Sequence, residues 1–335
     1  MRMVRPPFCH LRLDADDEGS RGLKVQSREL GRIVSLLPSA TEIICALGLG
    51  DRLVGISHEC DFPPEVVGRP VLTAPKLDPR GTSAEIDTAV RRLVRDGLSV
   101  YRIDAETLRA LHPDLIVTQE QCEVCAVSFA DVQRACAEWV GTPVTIVSLK
   151  PNRLADIFDD MIRVAAAAGC QDAGTTLVAH LQSRITAIRE RAALAHSRPR
   201  VACIEWLDPL MAAGNWVPEL VELGGGSYGL ATAGTHSGTI TWDTLTAYAP
   251  DVVILMPCGF RLAQTRRELP QLTARPEWRA LPAVRNGRVY SVDGHTYLNR
   301  PGPRIAESAE LLAGLIQPAL FASSIPADSW ERVPS

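Results

Sequence analysis

Residues 32–57, RIVSLLPSATEIICALGLGDRLVGIS, compress a strand, a helix and a second strand into one short stretch. Ile33 to Leu37 is a β-branched and leucine run that Pro38 ends. Ile43, Ile44, Ala46 and Leu47 give the helix an apolar face, Gly48 and Gly50 stop it, and Leu53 to Ile56 opens the next strand. Two strands joined through a helix run parallel, and parallel sheets must be covered on both faces, so this stretch commits the chain to an α/β architecture. Ser39 and Glu42, three residues apart, have the spacing of a capping box, which predicts Ser39 as the helix N-cap. The turn Leu37-Pro38-Ser39 then presents free N–H groups beyond the strand end.

The same alternation continues along the chain. Short apolar runs at 54–57, 114–118 and 144–148 are each followed by polar residues, and helical stretches are predicted over 83–96, 105–111 and 127–139. From 153 to 194 the pattern becomes helical, with an interruption expected at Gly169. A second set of strands follows at 201–206, 251–256 and 289–292. His112-Pro113-Asp114-Leu115-Ile116-Val117 echoes Ala249-Pro250-Asp251-Val252-Val253-Ile254, and a cysteine-bearing turn follows each. We therefore expect a leader over 1–30, an N-terminal lobe over 31–150, a helical connector over 151–197 and a C-terminal lobe over 198–335. A chain of 335 residues is long enough for two such lobes.

Composition narrows the function classes. A net charge of −4 with no lysine or arginine stripe argues against nucleic acid as a partner, and no apolar run reaches the roughly 18 residues of a membrane span. The first thirty residues hold Asp14, Asp16, Asp17 and Glu18 and lack the apolar core of a secretion signal, so the expected location is cytoplasmic. The alternative is a periplasmic or extracellular protein whose signal is missing from this sequence. Nine cysteines, an odd number in a long chain, do not form the pattern of a disulfide framework.

Ligands of open α/β sheets bind outside the carboxyl ends of the strands. Applied to both lobes, that rule gathers the turns carrying Ser39, His58, Cys60, Cys122, Cys125, Trp206 and Cys258 around one cleft. Thiolates and imidazole are ligands for zinc or an iron–sulfur centre, which makes His58, Cys60, Cys122, Cys125 and Cys258 candidate metal ligands. A redox pair at Cys122 and Cys125, or plain packing, stays open as well.

RIVSLLPSATEIICALGLGDRLVGIS, the HPDLIVT strand, WVPELVELGGG at 216–226 and APDVVIL at 249–255 resemble the helical-backbone (class III) substrate-binding proteins of ABC transporters for cobalamin, siderophores and haem. The resemblance spans nearly the whole chain from residue 30. HEC, CEVC and PCGF are similar to a cobalamin-binding-like subset that lacks secretion signals. The resemblance implies two Rossmann-like lobes joined by one long rigid helix, and non-catalytic binding of a small molecule such as cobalamin or another metal chelate between them. It places Trp206, Trp216 and Tyr297 near the cleft. Ser39 is a further candidate contact, and Arg300, with Arg304, is positioned to meet ligand carboxylates or to cap the last helix. It also implies that Glu42 and Glu219 dock on an ABC permease if the protein is exported, although both have local roles open to them at helix starts. The competing class is a metal- or cluster-containing redox protein or enzyme that uses the cleft cysteines.

Overall fold

The computed structural model describes residues 31–96, 99–119, 132, 144–321 and 328–334. In the N-terminal lobe, β1 (Ile33–Ser35) leads into α1 (Pro38–Ala46) and β2 (Leu53–Gly55). Then come β3 (Thr73–Pro75), α2 (Ser83–Arg95), β4 (Tyr101–Ile103), α3 (Ala105–Ala110), β5 (Leu115–Gln119) and β6 (Thr145–Leu149). The main sheet has the order β2-β1-β5-β6, with every pair parallel. Ile33 lies opposite both Leu53 and Leu115, and all three are fully buried, as a sheet covered on both faces requires. β3 and β4 stand apart as an antiparallel pair with α2 between them.

The helix after β1 starts earlier than its sequence suggests. Leu37, in extended conformation, is the N-cap of α1, and Pro38 is its first residue. Proline fits that position because its missing N–H would have had no partner there, so Ser39 is moved inside the first turn and makes no cap. The Ser39–Glu42 capping box is therefore not formed. A complete capping box occurs instead at Thr82 and Glu85, at the start of α2.

The helical stretch that follows is two helices, α4 (Leu154–Ala167) and α5 (Gln171–Ala192), broken at Gly169 with φ +75°. A methyl group at Gly174 would run into the Ala165 side chain, so α5 turns back closely against α4. At 22 residues α5 is about 33 Å long.

The C-terminal lobe comprises β7 (Val201–Trp206), β8 (Met211–Ala212), α6 (Val217–Leu223), β9 (Gly238–Thr239), α7 (Trp242–Tyr248), β10 (Val252–Leu255), α8 (Leu262–Thr273), β11 (Val289–Val292), α9 (Ile305–Ile316) and β12 (Trp330–Arg332). Its sheet order is β12-β11-β10-β7-β8-β9. β7, β10 and β11 are parallel, and β8, β9 and β12 run antiparallel to their neighbours. Arg184 of α5 holds Glu307 and Glu310 of α9, fastening the connector to this lobe. One apolar core runs through both lobes by way of the connector, from Ile43 through Ile157 and Ile185 to Leu220 and Leu311.

The echo between the two lobes has a structural basis. Asp114 accepts the backbone N–H of Arg32, just before β1, and Asp251 accepts that of Arg200, just before β7. His112 and Ala249, each preceding the proline, both take positive φ. The same tripeptide position thus ties the central strand of each sheet to its neighbour.

Candidate functional site: a charged seam between the lobes

The carboxyl ends of β1, β2, β7, β10 and β11 face a seam between the lobes, and ionic bonds span it. Glu42 of α1 is buried, and Arg304 grips it in parallel, with Nε to Oε2 at 2.9 Å and Nη2 to Oε1 at 2.6 Å. Arg300 adds a bond from Nη1 to Oε1 at 3.2 Å and another to Asp61 Oδ1 at 2.9 Å. Asp61 Oδ2 also lies 2.5 Å from Arg261 Nη2 and 2.8 Å from His295 Nε2. Three arginines and a histidine of the C-terminal lobe thus converge on two carboxylates of the N-terminal lobe. Burial alone would raise the Asp61 carboxyl, but its bonds to His295 and Arg300 outweigh that and hold it well below the usual carboxylate range. Arg304 further lies 4.2 Å from the Phe62 ring centre and 5.8 Å from that of Tyr297.

Several residues singled out in the sequence fall on this seam. A methyl group at Gly302, between the two arginines, would sit 3.3 to 3.4 Å from Ser39, so Ser39 abuts the other lobe. Its Oγ is buried and has no hydrogen-bond partner among the described residues. Arg300 is nearly fully buried, although its partners are carboxylates of the chain itself. Tyr297 is half-buried, and burial raises its phenol despite Arg304 nearby. Trp206 crosses to the N-terminal lobe, donating from Nε1 to the Ser83 carbonyl at 3.1 Å, and stands edge-on to Phe260 at 5.2 Å. Trp216 is instead part of the core, with Nε1 bonded to the Leu298 carbonyl at 2.9 Å.

The glutamates read as docking residues have partners within the chain. Glu42 faces the opposite lobe, as above. Glu219 accepts the Leu154 N–H at 2.8 Å at the start of α4, with Arg153 at 3.9 Å.

The proposed metal ligands sit in different surroundings. His58 is half-buried, with Nδ1 2.7 Å from Thr73 Oγ1 and its ring 5.3 Å from that of Tyr101, and burial lowers its pKa. Cys60 is buried and accepts from Thr41 Oγ1 at 3.0 Å. Burial pushes its thiol up to about 12. Cys258 is exposed, and its N–H bonds the Glu205 carbonyl. Cys122 and Cys125 lie outside the described residues, as does the helix expected over 127–139 except for Val132. Among the described residues no three histidine, cysteine or carboxylate side chains are disposed to share a metal ion.

Two α/β lobes, each built around parallel strands, joined through a helical connector and meeting at their strand ends, define a two-lobe binding-protein fold. A family model for the periplasmic binding proteins matches residues 33–296, and the chain belongs to that family. It is 24% identical over 311 residues to the uncharacterized ABC transporter substrate-binding lipoprotein YvrC of Bacillus subtilis, covering 91% of this chain and 86% of the relative. It is 24% identical over 283 residues to the vitamin B12-binding protein of Vibrio cholerae, covering 83% and 86%. The periplasmic heme-binding protein RhuT of Roseiflexus, in apo form, superposes with a TM-score of 0.64 at 24% identity, over 86% of this chain and 98% of that one. Among the described residues no helix is long and apolar enough to cross a membrane.

Proposed function

We propose that this protein is the substrate-binding component of an ABC importer and that it holds a metal-bearing chelate of the corrinoid or heme class between its lobes. The observation that carries this reading is the convergence of strand ends from both sheets on one seam, where Asp61 meets His295 and Arg300, Ser39 abuts Gly302, and Trp206 reaches Ser83 of the other lobe. The names of relatives that share the two-lobe fold, a vitamin B12-binding and a heme-binding protein, support the ligand class. The seam bonds join side chains of the chain to one another, so a ligand entering there exchanges them for its own contacts. A chain kept in the cytoplasm would bind the same class of molecule without docking on a permease.

The test is titration of the purified protein with hemin, cyanocobalamin and a ferric siderophore, followed by visible absorption and by quenching of Trp206, with Trp206→Phe as the control. One of the three is expected to bind one to one with a Kd at or below about 1 μM, equivalent to about 8 kcal/mol. Absence of saturable binding by all three refutes the reading.

A further inference from the structure

We infer that the segment between β3 and β4 is a strap that bolts the lobes together across the mouth of the seam, with Ser83 and Glu268 as its catch. β3 and β4 pair side by side, Thr73 with Ile103 and Pro75 with Tyr101, so the chain leaves the N-terminal lobe and re-enters it at adjacent points. Between those points α2 is exposed or half-exposed along its length, and Ser83, its first residue, is the one buried residue in it. That residue is where the strap meets the other lobe. The Ser83 N–H donates to Glu268 Oε1 at 2.7 Å, its hydroxyl donates to Glu268 Oε2, and its carbonyl accepts from Trp206 Nε1. Gln264 adds bonds from Nε2 to the Pro79 carbonyl at 3.0 Å and to the Gly81 carbonyl at 3.3 Å. Every polar group of Ser83 is thus engaged by residues of β7 or α8.

Glu268 explains why this contact acts as a catch. Its side chain is buried, and among the described residues no arginine or lysine pairs with it. A buried carboxylate without a cation is costly unless other donors replace water. Here the donors are Ser83 and the positive end of the α2 dipole. Lifting the strap removes them together, so the segment has a fastened and an unfastened state with little between. Because the strap fastens beside Trp206, at the end of β7, opening it uncovers the strand ends of the C-terminal lobe. The bolting role stands on these bonds alone, whereas a role in admitting ligand rests on the function proposed above.

Ser83→Pro tests the catch with little harm to the helix. Proline is favoured at the first helical position, the preceding Thr82 is extended at ψ 162°, and the Thr82–Glu85 capping box is untouched. The substitution removes both donors to Glu268. A second variant replaces residues 77–99 by Asn-Gly, closing a two-residue hairpin between Lys76 and Val100, which are already bonded at 2.9 Å. In the ligand-free protein, hydrogen exchange of α8 peptides is expected to quicken about tenfold or more in both variants, from loss of two hydrogen bonds to a charged acceptor. Stopped-flow mixing with hemin and with cyanocobalamin is expected to show faster association for whichever binds. Unchanged α8 exchange in the excised variant overturns the strap, whatever Ser83→Pro does to overall folding. Faster exchange with unchanged association overturns its gating role alone. Failure of both probes to bind the wild-type protein counts against the proposed function, while the exchange result still decides the bolt.

Discussion

Glu42→Gln measures how tightly the seam is shut in solution. The glutamate side chain is only 1% exposed, and it neutralises Arg304 through two parallel bonds and Arg300 through a third. Glutamine keeps the volume but loses the charge, and its amide N–H₂ points at one of the guanidinium groups. Removing one partner of a buried pair costs about 3–5 kcal/mol, because the other charge stays buried. Arg300 retains Asp61, which moderates the loss. Arg304 retains the Phe62 and Tyr297 rings, which offset about 0.5–2 kcal/mol. The expected cost is therefore about 3 kcal/mol, toward the lower end of the range for breaking a buried pair. Urea unfolding at pH 7 measures it, and a double-mutant cycle with Arg304→Gln should return a coupling of about 2–3 kcal/mol. Neither value should change with salt, since a buried pair escapes screening. If each single variant costs under about 1 kcal/mol and the loss fades as salt is raised, the pair behaves as a surface pair, the carboxylate is hydrated and the reasoning fails.

Two further predictions concern titration and reactivity. The folded Asp61 carboxyl lies below its unfolded value of about 3.9, so its stabilisation is fully present above that pH and is lost as pH falls toward the folded value. The stability gap between wild type and Asp61→Asn should therefore be full at pH 7 and shrink below about pH 4; a gap that grows on acidification contradicts the bonding to His295 and Arg300. Among the described cysteines, Cys258 should be alkylated first by iodoacetamide at neutral pH. Cys60 and Cys203, whose thiols burial pushes upward, should react only on unfolding, and peptide mapping that finds Cys60 modified in the native protein would place it outside the core.

What the sequence makes legible is local. β-branched runs announced the buried strands, and the HPD and APD tripeptides announced a repeat whose aspartates turn out to do the same job in both lobes. Where reading failed, the deciding partner was distant. Glu42 looked like half of a capping box because Ser39 is three residues away, whereas its partners are more than 250 residues further along. Asp61 and His295 carry no local signature, because the bond that joins them links positions 234 residues apart. Ser83 and Glu268 carry no motif at all, and 185 residues separate them. Cys60 draws its metal reading from its place in a turn after a strand, but its burial, which raises the thiol, is not displayed by the sequence.

The placement of β12 bears on how the protein associates with copies of itself. Trp330 to Arg332 lie along Tyr290 to Val292, and the Trp330 ring meets Tyr290 edge-on at 5.5 Å. β11 is buried along its entire length and forms the flank of the parallel strands. A chain shortened to residue 321 would leave a row of bare N–H and C=O groups on a flat apolar strand, a template on which another chain can add. Those three residues replace that apolar edge with a short one carrying Glu331 and Arg332, and charged short edges resist such addition.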